Sequence, residues 1–179
     1  LTTDRNVETL RQAIEMVSAE EGWAVGDLST LLHYRQGTWE VVSGGTEPLN
    51  LEDIDWVEAE GWGVGTIGTI MHYQEGGWQP VESPLDPGHN IKLTAIDMVS
   101  PEEGWAVGWA GVFLHYTQGT WQFSPNPITQ DLNGLEMLDE SEGWAVGLDG
   151  TIAHYTNGEW RYAENPTNES LYAIDMVSP

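Results

Sequence analysis

The chain of 179 residues has no cysteine, which excludes disulfides, thiol catalysis and thiolate metal sites and leaves its redox compartment open. Positive charge is nearly as scarce. Five Lys and Arg stand against 29 Asp and Glu, for a formal net charge of -24 at pH 7. A phosphate backbone needs a basic surface to displace its counterions, so nucleic acid is excluded as a partner, and anionic membrane surfaces are disfavoured for the same reason. No apolar run reaches membrane-spanning length, and the opening LTTDRNVETL has neither the basic start nor the apolar stretch of a secretory signal. The compartment stays open, with a secreted or cell-surface bacterial setting as the expectation. No nucleophile elbow, phosphate-binding loop or metalloprotease motif occurs, and the expectation is a protein without catalytic activity or cofactor.

What is present is aromatic and repetitive. Such an excess of acid would point to disorder if aromatics were rare, but 10 Trp and 6 Tyr, evenly spread, point to a folded acidic protein. EEGWAVG at 20–26 returns as EGWGVG at 60–65, EEGWAVG at 102–108 and SEGWAVG at 141–147. Around it runs a longer pattern, AIxMVSxxEGWAVGxxGTIxHYxxGxW. Its first tryptophan is Trp23, Trp62, Trp105 and Trp144, its histidine His33, His72, His115 and His154, and its second tryptophan Trp39, Trp78, Trp121 and Trp160; each series advances by 39, 43 and 39 residues. A period near 40 marks a repeat architecture.

The residue types decide for small sheets over helix pairs. Each unit opens with a short apolar stretch interrupted by one acid, which reads as a half-buried strand: Ala13 to Val17, Ile54 to Val57, Ala95 to Val99 and Leu135 to Leu138. A second strand carries Gly-Trp-Ala-Val-Gly, a third ends in His-Tyr, and a turn containing Gly37, Gly76, Gly119 or Gly158 leads to a fourth opened by the second tryptophan. Pro-, Asn- and Gly-rich connectors separate the units. The expected fold is all-β, a β-propeller of four-stranded antiparallel blades at about 11–44, 51–83, 93–124 and 133–164, followed at 171–178 by a fifth copy of the first strand. Strands two and three are apolar on both faces (Ile70 with Met71, Phe113 with Leu114), as blades stacked on both sides require. The repeated tryptophans are therefore expected in the gaps between blades, with the histidines hydrogen-bonding between strands or blades and binding no metal. Acidic pairs before each tryptophan, such as Glu20-Glu21 and Glu102-Glu103, read as solvated turns capable at most of weak calcium contacts.

With this pattern in place, Gly-Trp-Ala-Val-Gly-x-x-Gly-Thr-Ile-x-His-Tyr-x-x-Gly-x-Trp, clearest at 143–160, resembles the blades of bacterial propellers of the photosystem II assembly factor-like and sialidase-type repeat families. That resemblance implies a rigid platform for protein or glycan partners. It does not extend to hydrolysis. The turns RQGTW, QEGGW, TQGTW and TNGEW lack the aspartate of the sialidase box, and the chain lacks the arginine cluster such enzymes need around a substrate carboxylate.

Positions that break the pattern are the candidates for binding. In the turn between strands two and three, Trp109 stands where the other units have Asp27, Thr66 and Leu148. Two readings compete: a tryptophan capping a blade edge, or a contact residue on an exposed face with Leu28, Ile67 and Leu148. Protein is the expected ligand class and glycan the alternative. The unpaired fifth strand and the apolar faces of the terminal blades raise the question of closure. A ring completed by a second chain, giving a homodimer, is the leading arrangement; half of a longer propeller and a closed four-blade form are the others. The function expected is a non-catalytic scaffold that self-assembles and presents a protein-binding surface, against a lectin-like or a glycosidase-like propeller.

Overall fold

The computed structural model describes residues 13–26, 30–42 and 51–177. They form four sheets of four antiparallel strands, each joined in simple up-and-down order. The first holds β1 (Ile14–Ser18), β2 (Glu21–Gly26), β3 (Thr30–Arg35) and β4 (Thr38–Val41), and the second β5 (Leu51–Val57), β6 (Glu60–Gly65), β7 (Ile70–Gln74) and β8 (Gly77–Pro80). The third holds β9 (Leu93–Ser100), β10 (Glu103–Gly108), β11 (Phe113–Thr117) and β12 (Thr120–Phe123), and the fourth β13 (Leu132–Asp139), β14 (Glu142–Gly147), β15 (Ile152–Thr156) and β16 (Glu159–Tyr162). Among the described residues the only helical segments are short 3-10 turns. None is long and apolar enough to cross a membrane.

Register follows from the turns. Strands three and four meet through two-residue hairpins, Arg35 opposite Thr38 and Thr117 opposite Thr120, with both loop residues at positive φ. Two such residues in sequence make the turn whose twist suits paired strands, and glycine takes its second place in every blade. Strands two and three are joined by Thr66–Gly68, Trp109–Gly111 and Leu148–Gly150, where Gly111 lies at φ +67 and a side chain there would strike the Ile128 carbonyl 2.2 Å away. The first glycine of the EGW motif has another task. A Cβ on Gly104 would meet Met98 Sδ at 2.3 Å and one on Gly143 would meet Met137 Sδ at 2.2 Å, so each vacates the space filled by the methionine of the first strand.

The repeated tryptophans lie between blades. Trp62 stacks on His72 of its own blade, with centroids 4.0 Å apart, and faces Tyr116 and Trp121 of the next at 4.7 and 5.8 Å. Trp105 repeats this with His115, Tyr155 and Trp160, and Trp23 with His33, Tyr73 and Trp78. Three apolar clusters result, one at each junction of successive sheets. Successive blades also touch through their first strands, β5 against β9 and β9 against β13.

Two expectations need correction. The tryptophan series are not uniformly core: Trp39 is exposed and Trp144 half-buried, because the described first blade has no predecessor and the fourth no successor to cover them. Residues 171–177 belong to no strand, in contrast to the first-strand copy expected there.

Candidate functional site

Up-and-down order sorts the loops to two ends of the stack. One end carries the turns after strands one and three, with the acidic residues. There Glu21, Glu60 and Glu142 are hydrogen-bonded to Nε2 of His33, His72 and His154 at 2.9, 2.9 and 3.2 Å, and Glu103 to that of His115. One acid of each pair therefore fixes the imidazole that stacks on the blade's tryptophan and is not a free turn residue. The histidines bond within a blade, from strand three to strand two, and are kept apart from one another by the blade spacing. Among the described residues no group of three or more His, Asp or Glu could hold a metal ion. An open depression at this end is lined by Ser18, Glu20, Glu21, Arg35 and Gln36. Its Glu21 is engaged by His33 and lies 3.7 Å from Arg35.

The other end carries the turns after strand two and the connectors between blades, and among the described residues it holds Ile67, Trp109 and Leu148. Trp109 and Ile67 are exposed and Leu148 is half-buried; Leu28 lies outside the described residues. Trp109 is held by backbone, its N–H donating to the Lys92 carbonyl at 2.9 Å, while the next N–H, of Ala110, donates to Asp131 Oδ1 at 2.8 Å. Both clamps come from connectors, so the turn is braced by the strand entry of its own blade and of the next. Lys92, the single lysine of the chain, lies with Nζ 5.3 Å from the Trp109 ring centroid and 2.8 Å from Glu52 Oε1 of the preceding blade. A cation over the indole face and a carboxylate behind it make a polar seam under an exposed aromatic plate. Lys92 and Glu52 went unnoticed in the sequence, where a connector lysine offers no signal of its own.

The acids inside the first strands reach the next blade. Asp53 and Asp55 accept from the N–H of Ile96 and Met98 in the next blade at 2.9 and 2.6 Å, and Asp97 accepts from Met137 at 2.5 Å. They staple the first strand of one blade to that of the next. Burial pushes Asp53 and Asp97 up to about 7, against the pull of these hydrogen bonds, and raises Asp55 as well. A paired position in sequence could have given them away, because the acid occupies the same place opposite the first tryptophan in every blade: Glu15, Asp55, Asp97 and Glu136.

Four like sheets, radiating from contiguous first strands and interleaved by tryptophan, define a protein of β-propeller blades. The chain belongs to the family described as Photosynthesis system II assembly factor YCF48, whose model matches residues 34–138. Solved structures share the fold. One described as YCF48 bound to D1 peptide is 22% identical over 90% of this chain and 55% of its own, with a TM-score of 0.70. YCF48 from Cyanidioschyzon merolae is 18% identical over 93% of this chain and 60% of its own, with a TM-score of 0.68. The computationally designed Ika8 protein is 13% identical over 89% of this chain and 50% of its own, with a TM-score of 0.69. The chain thus spans between half and three fifths of these relatives. No curated protein matches it.

Proposed function

We propose that this chain is a non-catalytic propeller scaffold whose ring is completed by a second copy, and which binds a protein segment on the face that carries Trp109. The observation behind the binding site is Trp109 itself, a braced but 40% exposed indole above the Lys92–Glu52 pair. A rigid aromatic with a fixed backbone gives contact area at little entropic cost, and Lys92 offers a cation in an otherwise acidic molecule. A relative described as bound to D1 peptide supports a peptide segment as the ligand class.

Selection from a displayed random-peptide library tests this. A peptide enriched on the wild-type protein should lose about 2 kcal/mol of affinity, roughly 30-fold, on Trp109→Ala, with the melting temperature little changed. Undiminished binding, or a stability loss of about 3 kcal/mol marking a packing role, overturns the site. Glycan-array binding without peptide enrichment would move the ligand class to glycans.

Two-copy closure is supported by the terminal faces. Ile14, Met16 and Trp39 of the first blade are 61, 45 and 40% exposed, while Ile96, Met98 and Trp121, their counterparts in the third, are 4, 6 and 4% exposed. The fourth blade offers the opposite half of that interface, Trp144 on His154 with Ile152 beside it, also incompletely covered. Two copies can satisfy both faces through two equivalent head-to-tail junctions, the arrangement that closes a ring. Light scattering should give twice the chain mass of 19.8 kDa; a monomer rejects the ring.

A further inference from the structure

We infer that residues 173–177 of one copy serve as the first strand of the first blade of its partner, in place of that partner's β1. This rests on the two-copy ring and says how its junction is made.

The two segments are near-duplicates. Ala173-Ile174-Asp175-Met176-Val177 matches Ala13-Ile14-Glu15-Met16-Val17 at every position but one. The tail also sits where a next blade's first strand belongs. On the third blade, Thr94 Oγ1 donates to the carbonyl of Leu132, the first residue of β13, at 2.7 Å. On the fourth, Asn133 Nδ2 donates to the carbonyl of Leu171 at 2.8 Å, with the same separation of 38 residues. A Cβ added to Gly134 would lie 3.1 Å from Ala173 Cα and 3.3 Å from Ile174 N, so the tail backbone runs directly against β13.

That seat admits one strand. In a two-copy ring the partner's first blade must stand at this place, and its β1 would have to occupy the space the tail already fills. Either β1 evicts the tail, or the tail replaces β1 and pairs with the partner's β2. The single sequence difference favours replacement. At the two inner junctions an aspartate makes the staple, Asp55 to Met98 and Asp97 to Met137. At the first junction the equivalent acid is Glu15, and the N–H it would need to reach, that of Trp56, donates instead to Asp55 Oδ1 at 2.7 Å. Asp175 in the place of Glu15 returns an aspartate to the stapling position. The tail reaches the seat through its own connector, so replacement leaves the fourth blade undisturbed. In β1 Ile14 and Met16 are exposed, whereas Ile174 and Met176 of the tail are half-buried.

Because the chain has no cysteine, engineered pairs report cleanly. Ile14 lies opposite Ala24 in the first blade, so exchange places Ile174 of the partner there. Mixing an Ala24→Cys chain with an Ile174→Cys chain under oxidation should give a disulfide-linked heterodimer, while Ile14→Cys/Ala24→Cys in one chain should remain largely unbridged. A wild-type dimer in which only the 14–24 bridge forms overturns the exchange and leaves the ring standing; a wild-type monomer removes both. Deletions decide independently of disulfide geometry. A chain starting at Ser18 should stay dimeric and one ending at Thr167 should not, and the reverse pattern overturns the exchange.

Discussion

Asp97 shows what a single residue contributes to holding neighbouring blades together, and under which conditions. An unfolded aspartate titrates at about 4, whereas burial holds Asp53 and Asp97 at about 7. Between those values the folded protein binds more protons than the unfolded chain, so the contribution is complete below about pH 4, declines as pH rises and is lost above about 7. Asp55 and Glu136 add like charge beside Asp97 and push the same way. Urea midpoints should therefore be higher at pH 5.5 than at pH 8. Asp97→Asn keeps an acceptor for the Met137 N–H and removes the charge. It should raise stability at pH 8 by about 1–2 kcal/mol and flatten the pH slope; lower stability at both pH values would show that the ionised form carries the staple. The sequence marks the position, which recurs opposite the first tryptophan of every blade, but not its surroundings, because an acid between apolar neighbours in a strand has the same pattern whether its face meets water or the next blade.

Hairpins and turns are the elements that the sequence specified best. Glycine at 37, 76, 119 and 158 marked the tight connection before the fourth strand, and the structure places each at φ between 78 and 87 in a two-residue loop. The residue before it also has positive φ, at Gln36, Glu75, Gln118 and Asn157, and only Asn157 is the type that favours this geometry. Gln118→Asn should thus stabilise by about 0.5 kcal/mol, measured by chemical denaturation, and no gain would indicate that the Gln118 backbone carries little strain. Gly111→Ala should cost more than about 2 kcal/mol, because it combines positive φ with a carbonyl in the way. The candidate site was legible only in part. Trp109 stood out as a departure from the repeat, but Lys92 and Asp131, which brace its turn, come from connectors, the segments in which the repeats differ most and a period carries no information.

At the scale of the whole molecule, blade stacking was written in the period and in the double-sided apolarity of Ile70-Met71 and Phe113-Leu114, while the proposed ring closure rests on the exposed faces of the first and fourth sheets. If the terminal faces meet in a dimer, the melting temperature should rise with protein concentration. Trp144→Ala should remove that dependence while lowering the melting temperature of the dilute protein much less than Trp62→Ala, which empties a gap already filled within one chain. A melting temperature independent of concentration would count against association through these faces. Nearest-neighbour stacking has another outcome, which concerns time more than strength. A stack whose blades are held by their neighbours opens from its ends inward, as repeat arrays do. The Lys92–Glu52 pair beneath Trp109 bridges the second and third blades, the middle of the three junctions. Amide exchange there should be among the slowest in the protein, so a partner bound to Trp109 would stay attached while the ends of the chain fray and re-form.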